Sequence, residues 1–75
     1  MAINRAEQVG IRWDDLTTAE RARIIEATAA REGRIKARLR YKLLYEPWES
    51  LGKATREMLY RTDWVTVLGV KEESC

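Results

Sequence analysis

The least ordinary stretch of this sequence is a block near its centre in which basic and apolar residues alternate. From Arg34 to Leu43 every second side chain is cationic, and the side chains between them are apolar or aromatic. Closely spaced cations suit phosphates or carboxylates, and tyrosine beside them can stack on a base or fill a pocket in a protein partner. We therefore expect this block to be the functional surface. Its candidate partner-binding residues are Arg34, Lys36, Arg38, Arg40, Lys42, Tyr41 and Tyr45.

The charge of the chain is concentrated in the same region. Residues 31–42 contain six basic residues and one acidic residue, Glu32, whereas the whole chain has a net charge of only +2. The rest of the chain is therefore weakly anionic. Crowded like charges repel one another and destabilise the folded state unless opposite charges neutralise them. The pattern predicts that the partner is an acidic protein surface or a nucleic acid.

The remaining polar residues offer little for catalysis. The chain has no histidine, and its one cysteine is Cys75, which excludes an imidazole base, histidine metal ligands and a thiolate zinc site. Its four glycines are isolated, so there is no glycine-rich phosphate loop. The carboxylates stand at expected helix starts, where the helix dipole favours negative charge. We therefore expect a protein that is not an enzyme and that holds neither a metal nor a cofactor.

Two segments of the sequence repeat one pattern at an offset of 35 residues. Residues 13–16 and 48–51 both read Trp, acid, any residue, Leu, and after four intervening residues each is followed by an arginine, Arg21 or Arg56. The acidic residues fit the first turn of a helix, and a tryptophan before that turn can pack back on it as a hydrophobic staple does. We therefore expect Trp13 and Trp48 to belong to the core.

Capping signals around these segments predict a mainly α fold, a small three-helix bundle or hairpin. Thr17 and Glu20 have the spacing of a capping box, and Gly33 either ends the first helix or is tolerated within it. Ser50 is the expected cap of the last helix, and Gly69 is expected to end that helix in the left-handed conformation. The predicted helices span residues 17–32, 34–45 and 50–68, and the first two could be fused.

The alternative fold is α+β, with strands near 34–43 and 64–68. The period-two alternation of the basic block is typical of a half-buried strand, although its Arg, Lys, Ala and Leu residues favour a helix. As a strand, the stretch from Arg34 to Leu44 resembles part of a ribbon–helix–helix repressor, and that resemblance implies a strand that presents alternate side chains to the major groove.

The helix starts of the form Trp-acid-x-Leu-x4-Arg resemble those of small helical accessory proteins encoded by bacteriophages. The resemblance covers about a third of the chain. It implies a stand-alone protein that binds a host or phage macromolecule, as phage inhibitors of bacterial systems do.

The expected organisation is one domain over residues 1–75, with residues 71–75 as a polar tail. No apolar run is long enough to span a bilayer, and the cytoplasm, of a host cell if the protein is phage-encoded, is the expected compartment. The first functional hypothesis is a non-enzymatic regulatory protein that binds a macromolecule through the basic block. The alternatives are a nucleic-acid-binding protein and a homo-oligomerisation module that pairs through the stripe Leu51, Ala54, Met58, Val65 and Leu68.

Overall fold

Four α-helices make up the described part of the chain, and the predicted mainly α architecture is confirmed. The computed structural model describes Ala6 and residues 9–69. The helices are α1 (Thr18–Glu32), α2 (Ala37–Tyr45), α3 (Lys53–Tyr60) and α4 (Trp64–Leu68). Two short 3-10 turns, Trp13–Asp15 and Trp48–Ser50, precede α1 and α3. The longest helix, α1, packs against the other three.

Both predicted strands are wrong, because the corresponding residues are helical. Most of the segment 34–43 belongs to α2, as the helix propensity of its residues favours. In this helix Leu43 is completely buried. Because this segment is not a strand, the resemblance to a ribbon–helix–helix repressor is wrong as well. The segment 64–68 forms α4 because the Asp63 carboxylate caps it, accepting hydrogen bonds from the amides of Val65 and Thr66 at 3.1 and 3.4 Å.

The predicted limits of the first helix are confirmed. The Thr17 hydroxyl accepts a hydrogen bond from the Glu20 amide at 3.1 Å, and the Glu20 carboxylate accepts one from the Thr17 amide at 2.9 Å. This reciprocal capping box starts α1. The helix ends at Gly33, whose φ of 94° is open to glycine and unfavourable for other residues. The fused alternative is therefore wrong, and α1 and α2 are separate helices.

The last predicted helix, 50–68, is wrong in two respects. Ser50 lies in a 3-10 turn, and Gly52 rather than Ser50 immediately precedes α3. The chain also leaves the helix at Arg61–Asp63 and starts again as α4. This break divides the stripe that was expected to pair with a second copy. Gly69 does end α4 in the left-handed conformation, at φ 70°, while the predicted tail 71–75 lies outside the described residues.

The repeat seen in the sequence is also a structural repeat. In each copy a 3-10 turn closes with the Leu amide donating to the Trp carbonyl at 3.1 Å, from Leu16 to Trp13 and from Leu51 to Trp48. The helices that follow, α1 and α3, begin 35 residues apart at Thr18 and Lys53, as the offset predicts. The chain therefore uses the same turn–helix unit twice.

Three tryptophans meet at the centre of the protein. The ring centroids of Trp13, Trp48 and Trp64 lie 5.4–5.9 Å apart. Trp13 and Trp64 are each 2% exposed, and Trp48 is half-buried. In a chain without phenylalanine these rings supply much of the core volume, as was predicted for Trp13 and Trp48. The buried hydrophobic residues that form one cluster with Trp13 and Trp64 are Ala6, Ile24, Ile25, Ile35, Leu43, Leu51 and Leu59, and Val65 is buried outside this cluster.

A buried pair of threonines joins α1 to the break between α3 and α4. The hydroxyls of Thr28 and Thr62 lie 2.7 Å apart, and Thr28 also donates to the carbonyl of Ile24 at 2.8 Å. Because a hydroxyl has one proton, Thr62 is the donor in the pair. The Thr62 hydroxyl thus holds the interhelical break against α1.

We predict that Thr62→Val lowers the free energy of unfolding by about 1 kcal/mol, since the shape is kept and one buried hydrogen bond is lost. Thr28→Val should cost more, about 2 kcal/mol, because it leaves the Thr62 hydroxyl buried without its acceptor. Urea denaturation of both single variants and the double variant measures the coupling. Strict additivity of the two effects would contradict the pairing.

A candidate interaction surface on the central helix

The outer face of α2 carries four of the seven predicted binding residues. Arg38, Tyr41, Lys42 and Tyr45 are all exposed, and each lies three or four residues from two of the others, so they share one face. Arg34 and Lys36 are exposed in the short connection that leads into α2. These six residues are called the α2 surface below.

Two tyrosines form the centre of the α2 surface. The rings of Tyr41 and Tyr45 lie 4.7 Å apart between centroids and are inclined at 51° to each other. Tyr41 is 68% exposed and Tyr45 is 57% exposed. Large aromatic side chains usually bury most of their area, so an exposed pair of this size is a feature typical of interaction sites.

Arg40, the seventh predicted residue, lies on a different side of α2 from Tyr41 and Tyr45, and it borders one surface pocket together with Arg34 and Lys36. Its Nε donates to the carbonyl of Ile35 at 3.0 Å, and its Nη1 pairs with the carboxylate of Glu26 on α1. A helix rotates successive residues by about 100°, so the alternating cations cannot all share one face as they would on a strand. Arg40 therefore ties α2 to α1, and the α2 surface does not include it.

No acidic side chain of the described residues forms an ion pair with a cation of the α2 surface. Among the described residues, Arg34, Lys36, Arg38 and Lys42 form no ion pair. The described residues therefore do not neutralise these positive charges, and the charges favour an anionic partner.

The one acid in the basic block, Glu32, is held elsewhere. Its carboxylate accepts two hydrogen bonds from the Arg61 guanidinium, at 2.9 and 3.0 Å. These hydrogen bonds, with smaller attractions to Arg61 and Arg31, lower the pKa of Glu32 from its ordinary value, and the same contact raises the pKa of Arg61. Glu32 therefore neutralises Arg61 and not the cations of the α2 surface.

The inner face of α2 is fixed by apolar packing and by one arginine of α1. Leu43 is completely buried, and Leu39 and Leu44 pack against the core. Nη1 of Arg21 donates to the carbonyls of Leu44 and Glu46, at 2.9 and 3.3 Å, where α2 ends. These carbonyls have no partner within a helix that stops at Tyr45, and a cation at a helix C-terminus also suits the dipole.

Arg21 also binds the first 3-10 turn. Its Nε donates to the carbonyl of Trp13 at 3.2 Å, and its guanidinium carbon lies 5.3 Å from the centre of the Trp13 ring. The Asp14 carboxylate lies 3.9 Å from its Nη2 and also accepts a hydrogen bond from the Trp48 amide at 2.8 Å. This network joins the two turns to α1 and α2. The sequence indicated Arg21 only as a member of the repeat, without its burial or these contacts.

The comparisons with known proteins identify no relative. No protein-family model matches the chain, and searches of curated proteins and of solved structures found no match. Two negative findings concern the described residues alone. They contain no group of three or more acidic or cysteine side chains placed to hold a metal ion, and none of their helices is long and apolar enough to cross a membrane.

We predict that Arg21→Met lowers the free energy of unfolding by about 2–4 kcal/mol, because buried carbonyls lose their donor and Asp14 loses a neighbouring cation. Arg56→Met is the matched control, since Arg56 holds the equivalent repeat position, is half-buried, and has a side chain that makes no hydrogen bond or ion pair among the described residues. It should cost less than about 1 kcal/mol. Equal losses for the two variants in chemical denaturation would contradict the role given to Arg21.

The Glu32–Arg61 pair predicts a pH-dependent contribution to stability. The pKa of Glu32 is lower in the folded chain, so the pair stabilises the fold above the ordinary pKa of 4.5 and stops doing so as the pH falls through the folded value. Thermal melts of wild type and Glu32→Gln should therefore differ near neutral pH and converge in acid. The variant Arg61→Gln should lose the same pH-dependent contribution to the thermal stability. A difference that stays constant down to about pH 3 would contradict this assignment.

Proposed function

We propose that the protein is a non-enzymatic binding protein that docks an acidic surface of a partner protein on the α2 surface. The observation that carries this proposal is the pair of exposed tyrosines, Tyr41 and Tyr45, set among exposed cations that form no ion pair among the described residues. Tyrosine and arginine are enriched at the centres of protein interfaces, and unpaired cations around them steer an acidic partner and fix its orientation.

The arrangement of the tyrosines favours a protein over a nucleic acid. A base-stacking platform needs an open ring face, whereas Tyr41 and Tyr45 pack against each other at 4.7 Å and each covers part of the other. The helix also separates the cations of the basic block, because Arg40 forms an ion pair with Glu26 on α1 and is not part of the α2 surface. The continuous ladder of cations that a strand would offer to a phosphate backbone is therefore lost.

The resemblance to bacteriophage accessory proteins supplies the biological part of the proposal. It suggests a partner among the macromolecules of a bacterial host or its phage, with inhibition as the result of binding and the host cytoplasm as the place. The contacts of the α2 surface support binding by an anionic partner and do not depend on that resemblance.

Photo-crosslinking at the tyrosine pair tests the proposal. A p-benzoylphenylalanine residue replaces Tyr41, and the protein is irradiated in nuclease-treated bacterial lysate. Arg38→Gln with Lys42→Gln removes two cations beside the probe. Arg23→Gln with Lys53→Gln is the matched control, because it removes the same two residue types at exposed positions outside the α2 surface.

We expect one acidic protein to be crosslinked, with a yield about fivefold lower in the Arg38/Lys42 variant, since two interface charges contribute about 0.5 kcal/mol each. The control variant should keep the yield within about twofold. An unchanged yield in the Arg38/Lys42 variant would contradict the proposal. So would a product that forms only in a parallel lysate without nuclease treatment, and in that case four cations predict a salt dependence of log K with a slope of about −4 in a gel-shift titration.

A further inference from the structure

A pocket lined mainly by cations lies where the chain enters α2, beside the α2 surface. Its volume is about 570 Å³, and its described lining consists of Arg34, Ile35, Lys36, Ala37 and Arg40. Three of these five residues are cationic and none is acidic. The volume is within the range of about 300–1,000 Å³ that is usual for ligand sites. The pocket shares Arg34 and Lys36 with the α2 surface and adds Arg40, which that surface does not include.

Arg40 is held in one orientation at this pocket by two contacts with other residues. Its Nε donates to the carbonyl of Ile35 at 3.0 Å, and its Nη1 pairs with the carboxylate of Glu26 on α1. These contacts leave Nη2 without a hydrogen bond to the described residues, and the side chain is 33% exposed, so donors of the guanidinium remain available to a ligand. A guanidinium that is already oriented suits an anion with several acceptor oxygens, because its donors lie in one rigid plane.

The charges at the pocket match a dianion better than a monoanion. Glu26 compensates the charge of Arg40, and it does not line the pocket. Arg34 and Lys36 are exposed and form no ion pair among the described residues, and the first turn of α2 contains no acidic residue. Two positive charges therefore remain uncompensated. A phosphate monoester brings close to two negative charges at neutral pH and three strong acceptor oxygens, whereas a carboxylate brings one charge.

We propose that this pocket binds a phosphorylated side chain of the partner protein. Arginine clusters are a recurring means of recognising phosphorylated residues. Exposed cations each contribute little, so the pocket holds a free phosphate weakly, whereas a phosphate on a partner that is already docked on Tyr41 and Tyr45 has a high effective concentration. The inference rests on the proposed function, and it names the chemistry of one acidic group that the partner presents.

Two acetylated and amidated tripeptides, one with phosphoserine at its centre and one with aspartate, test the pocket on the intact protein. Two-dimensional NMR of the ¹⁵N-labelled protein follows the amides of Lys36 and Ala37. We expect the phosphoserine tripeptide to bind at least about threefold more tightly at about pH 7.5, and to lose this advantage at about pH 5.5, where its phosphate carries a single charge. The chain has no histidine and aspartate stays ionised in this range, so the affinity of the aspartate tripeptide should change little.

Arg34→Gln with Lys36→Gln should weaken the phosphoserine tripeptide about fivefold, since it removes both uncompensated charges of the pocket. Arg38→Gln with Lys42→Gln is the matched control, because it removes the same two residue types from α2 outside the pocket, and it should change this affinity by less than about twofold. The proposal is overturned if the amide signals do not move at about 10 mM phosphoserine tripeptide, if the aspartate tripeptide binds as tightly, or if the two double variants have equal effects.

Phosphatase treatment tests whether the phosphate belongs to the partner protein. The crosslinking at Tyr41 is repeated in lysate treated with active or with heat-inactivated phosphatase, and we expect the active enzyme to lower the yield about fivefold, as loss of the phosphate contacts predicts. A crosslinked protein whose yield phosphatase leaves unchanged overturns this inference and leaves the proposed function intact. The absence of any crosslinked protein overturns both.

Discussion

Arg21 is the side chain on which the arrangement of the other elements depends. Its guanidinium donates to the carbonyls of Trp13, Leu44 and Glu46, so that one residue of α1 fixes both the first 3-10 turn and the end of α2. Burying a cation is costly unless an opposite charge compensates it and its N–H groups find acceptors. Here the Trp13 ring and the Asp14 carboxylate compensate the charge of Arg21, and Asp14 also accepts a hydrogen bond from the Trp48 amide.

The α2 surface is a consequence of this anchoring. With Leu43 in the core and the end of α2 held by Arg21, only one rotation of the helix satisfies both constraints. That rotation sends Arg40 toward Glu26 and leaves Tyr41 and Tyr45 exposed. Two long side chains and two aromatic rings are thus presented on a short, fixed helix, which reduces the entropy that a binding partner must overcome.

The helices were predictable from the sequence where local signals agree. The capping box at Thr17 and Glu20 and the left-handed Gly69 at the end of the last helix depend on interactions within a few residues, and both are present in the structure. The break after α3 combines a local and a distant contact. Asp63 caps α4 through the amides of the next residues, whereas Thr62 contacts Thr28, which is 34 residues earlier in the chain and is not indicated by a local pattern.

The candidate site was predictable in composition and not in geometry. Alternation of charge marked the basic block, and the helical period then divided its cations between an outer face and a contact with α1. The positions of the Arg40 and Glu32 side chains depend on partners far from them in the sequence, Glu26 on α1 and Arg61 after the end of α3, which a local pattern does not indicate. A cavity lined by Trp13, Trp48, Tyr60 and Trp64 likewise takes its walls from both repeat units and from α4, so only the assembled fold brings these residues together.

Native-state hydrogen exchange of the α2 amides tests most directly whether this helix is held as a fixed binding surface. If Arg21 and Leu43 anchor it as described, the amides of residues 41–45 should exchange only through global unfolding, with the same protection as the amides of Ile24 and Ile25 in α1. Exchange of residues 41–45 through a local opening of much lower free energy would show that α2 is not fixed, and it would contradict the account given for its surface.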